Sequence, residues 1–292
     1  MCSSDLSLLE CKVFILFYTP LLITTHDHKS ADLSLTQKVD IKTSTDEALI
    51  EAANIAWYQG DYSRGSRLCR RGVAKADRLL GLARTDRKGS SLRAEAGVRR
   101  RKIYALSVCG LVAMSQRDRE QALLDLQSAL RIAESLGDPR ETATQHNNLG
   151  RVYLEFSELE TAETAFAQAK AIDERLRDRY GLAYDLRNLG QTLMLEERFE
   201  KAEAALEQAL AFSRQARDTN NELRVRFALG ELLRRQGKAE AAVAAWTEAL
   251  PLAERLDVKD LHWQILWRLG VHANEGGRVA EAEDRKSTRL NS

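Results

Sequence analysis

Five glycines, Gly110, Gly150, Gly190, Gly230 and Gly270, stand forty residues apart. A spacing held through four successive steps marks an internal repeat. Each of these glycines lies in a stretch whose apolar residues recur at helical spacing, where glycine costs roughly 1 kcal/mol relative to alanine. Five such losses at one register make sense where a neighbouring helix packs too close for a larger side chain. Other positions keep the same beat. Ala122, Ala162, Ala202, Ala242 and Ala282 form a second ladder, Ala129, Ala169, Ala209 and Ala249 a third, and Leu126, Phe166, Leu206 and Trp246 are the bulky residues between them. Small residues facing bulky ones at a fixed register describe helix packed on helix, repeated along the chain.

Turn chemistry says where those helices stop and restart. In the clearest turn Gly137 is a candidate C-cap, Asp138 an N-cap, Pro139 the first helical residue and Glu141 the closing member of a capping box. Asp178 and Asp218 recur at the same register, and Asp257 lies one residue early. Helices are therefore expected near 139–155, 159–177, 179–195, 199–217, 219–235, 239–256 and 259–275, each about 25 Å long at ~1.5 Å per residue. A further helix is expected to begin at Val279. Upstream, Ala53, Ala56, Gly60, Tyr62 and Gly65 fit a degenerate first copy near 46–81. There Cys69 replaces the bulky residue, Gly72 is the second small one, and Gly60-Asp61-Tyr62 form the turn. The pair after it, near 90–136, is out of step: Ala53 to Gly110 is 57 residues rather than 40.

The run Leu149-Gly150, Tyr153, Ala162 and Phe166 resembles the tetratricopeptide-repeat motif of Leu-Gly, an apolar or Tyr residue, then Ala-x3-Phe. That family's usual period is 34 residues, and the forty-residue beat resembles its longer-helix variety, found in kinesin light chains and many bacterial signalling proteins. The resemblance implies an all-α, right-handed α-solenoid of antiparallel helix pairs, here near 46–81, 90–136, 139–177, 179–217, 219–256 and 259–283. It also implies a concave groove lined by the first helix of each pair. Counted from the Leu-Gly register, the groove positions are Asn147 and Arg151, then Tyr184, Arg187 and Gln191, then Arg224, Phe227 and Glu231, then Trp267 and Asn274. These residues are large, mixed in polarity and rich in arginine, which can hold a carboxylate bidentately, while Phe227 and Trp267 can supply apolar anchors.

Bulk composition narrows the function classes. In 292 residues, 44 basic and 43 acidic side chains leave a net charge of +1, which exerts no global pull on nucleic acid or membrane. Four cysteines (Cys2, Cys11, Cys69, Cys109) share no metal-ligand or redox spacing, so unpaired thiols in a reducing cytoplasm are expected. Arg84 to Lys102 holds eight basic and two acidic residues. It reads as a solvated loop leading into an over-long helix, with a nucleic-acid surface as the alternative, although no aromatic residue lies in the run to stack on bases. Residues 1–44 are least like the repeat. Val13–Ile23 is an apolar run broken by Pro20, and Ala31, Leu33, Leu35, Val39 and Ile41 alternate, so a β-containing remnant of a preceding domain or a disordered leader is expected. The helical domain then spans 45–283. Asp284–Ser292 and Cys2–Leu6 resemble the two strands of a translated sequencing adapter, so the chain is expected to be a gene fragment.

Chemistry is not foreshadowed. His26 and His28 lack further ligands at useful spacing, the glycines are isolated rather than clustered in a phosphate loop, and no nucleophile is offered with a base and an orienting acid. The expectation is a non-catalytic protein without cofactor or metal. It would act as a scaffold binding a protein or peptide of acidic character, rather than nucleic acid or membrane, and the fragment reading implies that it serves within a larger protein. Two alternatives stand beside it: the regulatory segment of a bacterial signalling protease, cyclase or kinase, and a nucleic-acid-associated regulator acting through 84–102.

Overall fold

The computed structural model describes residues 46–85 and 92–275, and every element in them is helical. They form α1 (Asp46–Tyr58), α2 (Tyr62–Thr85), α3 (Leu92–Ser115), α4 (Arg119–Leu136), α5 (Pro139–Glu155), α6 (Leu159–Leu176), α7 (Arg179–Leu195), α8 (Phe199–Ala216), α9 (Thr219–Arg235), α10 (Ala239–Arg255) and α11 (Lys259–Glu275). The strand readings in 1–44, the His26/His28 pair, Ala282 and the 284–292 tail lie outside the described residues. The chain divides into two compact units, one ending at Glu158 and the other beginning at Leu159.

From α5 onward the helices start where the turn residues place them. Asp138 Oδ1 accepts from the Glu141 amide at 3.4 Å, Asp178 Oδ1 from Tyr180 and Gly181 at 3.1 Å, and Asp218 Oδ1 from Asn221 at 2.9 Å. Each caps amides that the first turn leaves without a helical partner. Helix ends follow a second rule. A left-handed residue recurs every twenty positions: Arg117, Gly137, Ser157, Arg177, Glu197, Arg217, Gly237 and Asp257, with φ between 50° and 76°. The forty-residue repeat is thus two twenty-residue halves, each closed by the same backbone device.

In the first unit α1 to α5 pack in sequence order around Ile50, Ala53, Leu111, Val112, Leu126 and Val152, all at most 1% exposed. Trp57 donates its indole N–H to Ser115 Oγ at 2.8 Å, tying the end of α1 to the end of α3. The register break is absorbed by helix length, since α2 and α3 run 24 residues each against 17 or 18 in the later helices. Residues 92–102 of the basic run therefore form the first turns of α3. One expectation fails here. Cys69 and Cys109 are not free thiols but a disulfide between α2 and α3, with Cα atoms 5.5 Å apart. Local spacing could not reveal it, because the two cysteines meet as buried residues of adjacent antiparallel helices rather than within one motif.

The second unit repeats one packing layer. Ala202, Ala209, Ala242 and Ala249 are at most 1% exposed, with Leu206 and Trp246 buried between them. The glycines are small for a reason. A Cβ on Gly190 would stand 2.7 Å from Leu206 Cγ, and one on Gly230 would stand 2.2 Å from Trp246 Nε1. In the first unit a Cβ on Gly110 would meet Leu126 Cγ at 2.6 Å. Gly270 differs, with nothing among the described residues within 4 Å of its Cβ position.

Candidate functional site

Eight of the ten sequence-derived groove residues lie on α7, α9 and α11, the first helices of the pairs in the second unit. The forty-residue register puts them at matching positions, so Arg187, Phe227 and Trp267 form one column and Gln191 and Glu231 belong to another. Asn147 and Arg151 occupy the corresponding positions of α5 in the first unit, where Asn147 is half-buried and Arg151 is buried. The side chain of Asn274 lies outside the described residues.

At the α7–α9 junction a polar cluster is fully built. Tyr184 donates its hydroxyl to Asp218 Oδ2 at 2.8 Å and shares a 2.8 Å hydrogen bond with the Tyr180 hydroxyl. Burial, with Asp218 and Tyr180 beside it, holds the Tyr184 phenol well above its ordinary pKa, so it stays a neutral donor. Its ring lies 5.0 Å from the Arg187 guanidinium carbon, a cation–π distance. Arg187, 7% exposed, donates to Asn221 Oδ1 at 2.5 Å and to Asn188 Oδ1 at 2.9 Å. Asn221 passes the chain on to Ser213 Oγ at 2.9 Å. Asp218 therefore caps α9 and seats Tyr184 together.

At the α9–α11 junction the buried group is an acid. Glu231, 3% exposed, is held by Arg268, whose Nε lies 2.7 Å from Oε1 and whose Nη2 donates to Oε2 at 3.1 Å. Arg234 approaches the same carboxylate at 3.4 Å. The Arg268 guanidinium carbon also stands 4.8 Å from the Trp267 ring. Phe227 is 3% exposed and its carbonyl accepts from Trp246 Nε1 at 3.3 Å, so its ring belongs to the core.

The ten positions thus separate into layers. Arg187, Phe227 and Glu231 are buried, whereas Tyr184, Gln191, Arg224 and Trp267 keep part of their surface exposed. Arg224 is steadied by Asn220 Oδ1 at 3.2 Å. Sequence reasoning missed Asn188, Asn221 and Arg268, which build the underlayer, and read Asp218 only as a helix cap. A signal existed: Asn148, Asn188 and Arg268 share one register position at which the other two copies carry Val108 and Ala228. A polar residue in a column that alanine can fill marks an interaction. Among the described residues no group of three or more His, Cys, Asp or Glu side chains is placed to hold a metal ion. None of these helices is long and apolar enough to cross a membrane.

Helix pairs stacked on one buried register define an α-solenoid repeat protein. Residues 182–255 and 227–285 match two sequence profiles described as tetratricopeptide repeat. No curated protein matches the sequence. Among solved structures, BtubC (BKLC) from P. vanneervenii is similar at 19% identity and a TM-score of 0.62, covering 76% of this chain and 91% of that one. A Rap protein complexed with competence and sporulation factor is similar at 16% identity and a TM-score of 0.62, covering 84% of this chain. Aspartyl phosphate phosphatase F from Bacillus subtilis is similar at 14% identity and a TM-score of 0.60, covering 83% of this chain. The match spans 62% of the Rap protein and 58% of the phosphatase. At these identities the likeness is one of fold.

Proposed function

We propose that the protein is a non-catalytic scaffold whose α7–α9–α11 face receives an extended, acidic peptide segment. The observation that carries this reading is the layering. Tyr184, Gln191, Arg224 and Trp267 stand partly exposed over buried polar groups that are already hydrogen-bonded and ion-paired. A buried Glu–Arg pair is rarely worth more than a well-packed apolar pair of the same volume, so stacking helices does not require one. What it does provide is a fixed orientation for the side chains above it, which lowers the entropy lost on binding. Acid preference rests on Arg224 at the surface, with Arg234 and Arg268 beside the single Glu231. Asn147 and Arg151 hold matching register positions on α5, and Asn274 lies on α11.

Panning a random peptide library tests this. Selected peptides are expected to be rich in Asp and Glu, and Arg224→Glu with Trp267→Ala is expected to weaken them at least tenfold, about 1.4 kcal/mol. Peptides bound equally well by the double variant would overturn the assignment. A second reading, the sensor segment of a larger signalling protein, draws on the fold shared with the Rap protein and the phosphatase, both longer than the match. Sequencing the gene on both sides of this region decides it: an adjoining catalytic or output domain is expected, and none would remove the reading.

A further inference from the structure

Charge in this chain is concentrated in one place. Residues 62–102 contain 14 of the 44 basic residues and three of the 43 acidic ones, giving the segment +11 while the rest of the chain carries −10. Structure shows what the sequence run alone did not: among the described residues three exposed arginines stand on α2, upstream of Arg84, while the exposed Arg100 on α3 is paired with Asp138 at 3.1 Å. Arg67, Arg71 and Arg78 are exposed along one face of that helix, at spacings of four and seven residues. Their rise of ~1.5 Å per residue sets them about 6 and 10 Å apart along the axis. None of the three makes an ion pair among the described residues. The acids nearby are occupied elsewhere: Asp77 pairs with Lys102, Glu95 with Arg99 at 2.6 Å, and Asp125 with Arg70 at 2.5 Å.

We propose that this face of α2 is a docking surface for the phosphate backbone of a double-stranded nucleic acid. Complementary charge requires a polyanion, and the shape and chemistry of the stripe choose among polyanions. It is one straight helix face, with only Ala74 and the already paired Asp77 exposed between Arg71 and Arg78. No aromatic side chain offers a platform for unpaired bases. Leu82, one turn beyond Arg78, is the lone large apolar side chain exposed on α2, too little to wedge into a bilayer or to anchor a peptide. A duplex needs neither. It presents about one charge per 1.7 Å of axis on a stiff rod, and arginine matches phosphate bidentately. This surface is separate from the α7–α9–α11 face and does not depend on that reading.

Fluorescence anisotropy of the full chain with a labelled duplex DNA of about 20 base pairs, repeated across salt concentrations, is the test. With three phosphates neutralised, affinity is expected to fall about 40-fold between 50 and 200 mM salt, a log–log slope near −2.7. Arg67→Gln/Arg71→Gln/Arg78→Gln is expected to remove most of that slope while leaving the circular-dichroism melt unchanged, as substitutions at exposed positions should. An Arg224→Glu variant is expected to bind the duplex like the parent. Salt-independent binding, or a triple variant that binds as tightly as the parent, overturns the proposal. So does a preference for single-stranded DNA, for polyglutamate or for anionic phospholipid vesicles over the duplex.

Discussion

At the level of single residues, the forty-residue register tells which side chains are buried and leaves open how deeply polar ones sink. Trp246 and Gly230 illustrate the first point. They occupy the bulky and small positions of facing helices, and a Cβ on Gly230 would overlap the indole. Gly230→Ala is expected to cost about 1–3 kcal/mol through overpacking. Trp246→Ala should cost roughly 3–5 kcal/mol by leaving a cavity, and urea denaturation measures both. No loss in either would mean that the register is misassigned. Arg187 and Glu231 illustrate the second point. Their spacing gives the direction of the side chain, but only the neighbouring first helix, with Asn221 or Arg268 upon it, determines that each is covered. Periodicity within one repeat cannot carry that information.

His146 adds a dependence on pH. Burial holds its imidazole below the ordinary 6.5, with Glu134 opposing weakly. The unfolded chain therefore takes up a proton that the folded chain refuses, and stability falls as pH drops from about 6.5 through the folded value. Chemical denaturation at pH 7.5 and pH 5.5 should show this loss, and His146→Gln should reduce it. An identical pH response in the variant would locate the effect elsewhere.

For whole helices, boundaries from α5 onward were legible because the caps are written in the sequence as Asp138, Asp178 and Asp218. The twenty-residue beat of left-handed residues was not, since six of its eight members are not glycine and composition therefore hides it. Side chains at such positions carry a steric cost of about 1–2 kcal/mol, partly offset by glycine's greater chain entropy. Glu197→Gly and Arg217→Gly are each expected to raise stability by about 0.5–1 kcal/mol, read as an increase in melting temperature. The break before Gly110 also belongs to this scale. The sequence announced a lost register and a basic run, while the structure supplies two long helices and a covalent bond between them. In the chain-entropy treatment a closed loop of forty residues contributes about 4 kcal/mol. Reducing agent should accordingly lower the melting temperature of the parent and leave Cys69→Ser/Cys109→Ser unchanged. Equal sensitivity of both would place the effect outside this bond.

At the scale of the molecule, an all-α helical-repeat architecture could be read from five glycines and two alanine ladders, because successive copies reuse the same packing register. Partner chemistry could not be read the same way. In both proposals it lies where copies differ: Arg224 against Tyr184 and Gln264 in one column, or the arginine stripe of α2. A repeat sequence advertises its common part and conceals its exceptions.

The Cys69–Cys109 bond has a mechanical consequence. A chain stretched from its two ends would bypass everything between those sulfurs, since tension runs through the bond and not around the loop. Forty residues at up to ~3.6 Å each make about 14 nm of hidden length. That length becomes available only when a reductant cuts the tether, so Arg71, Arg78 and the first turns of α3 are shielded from load, whereas Arg67, just before Cys69, is not.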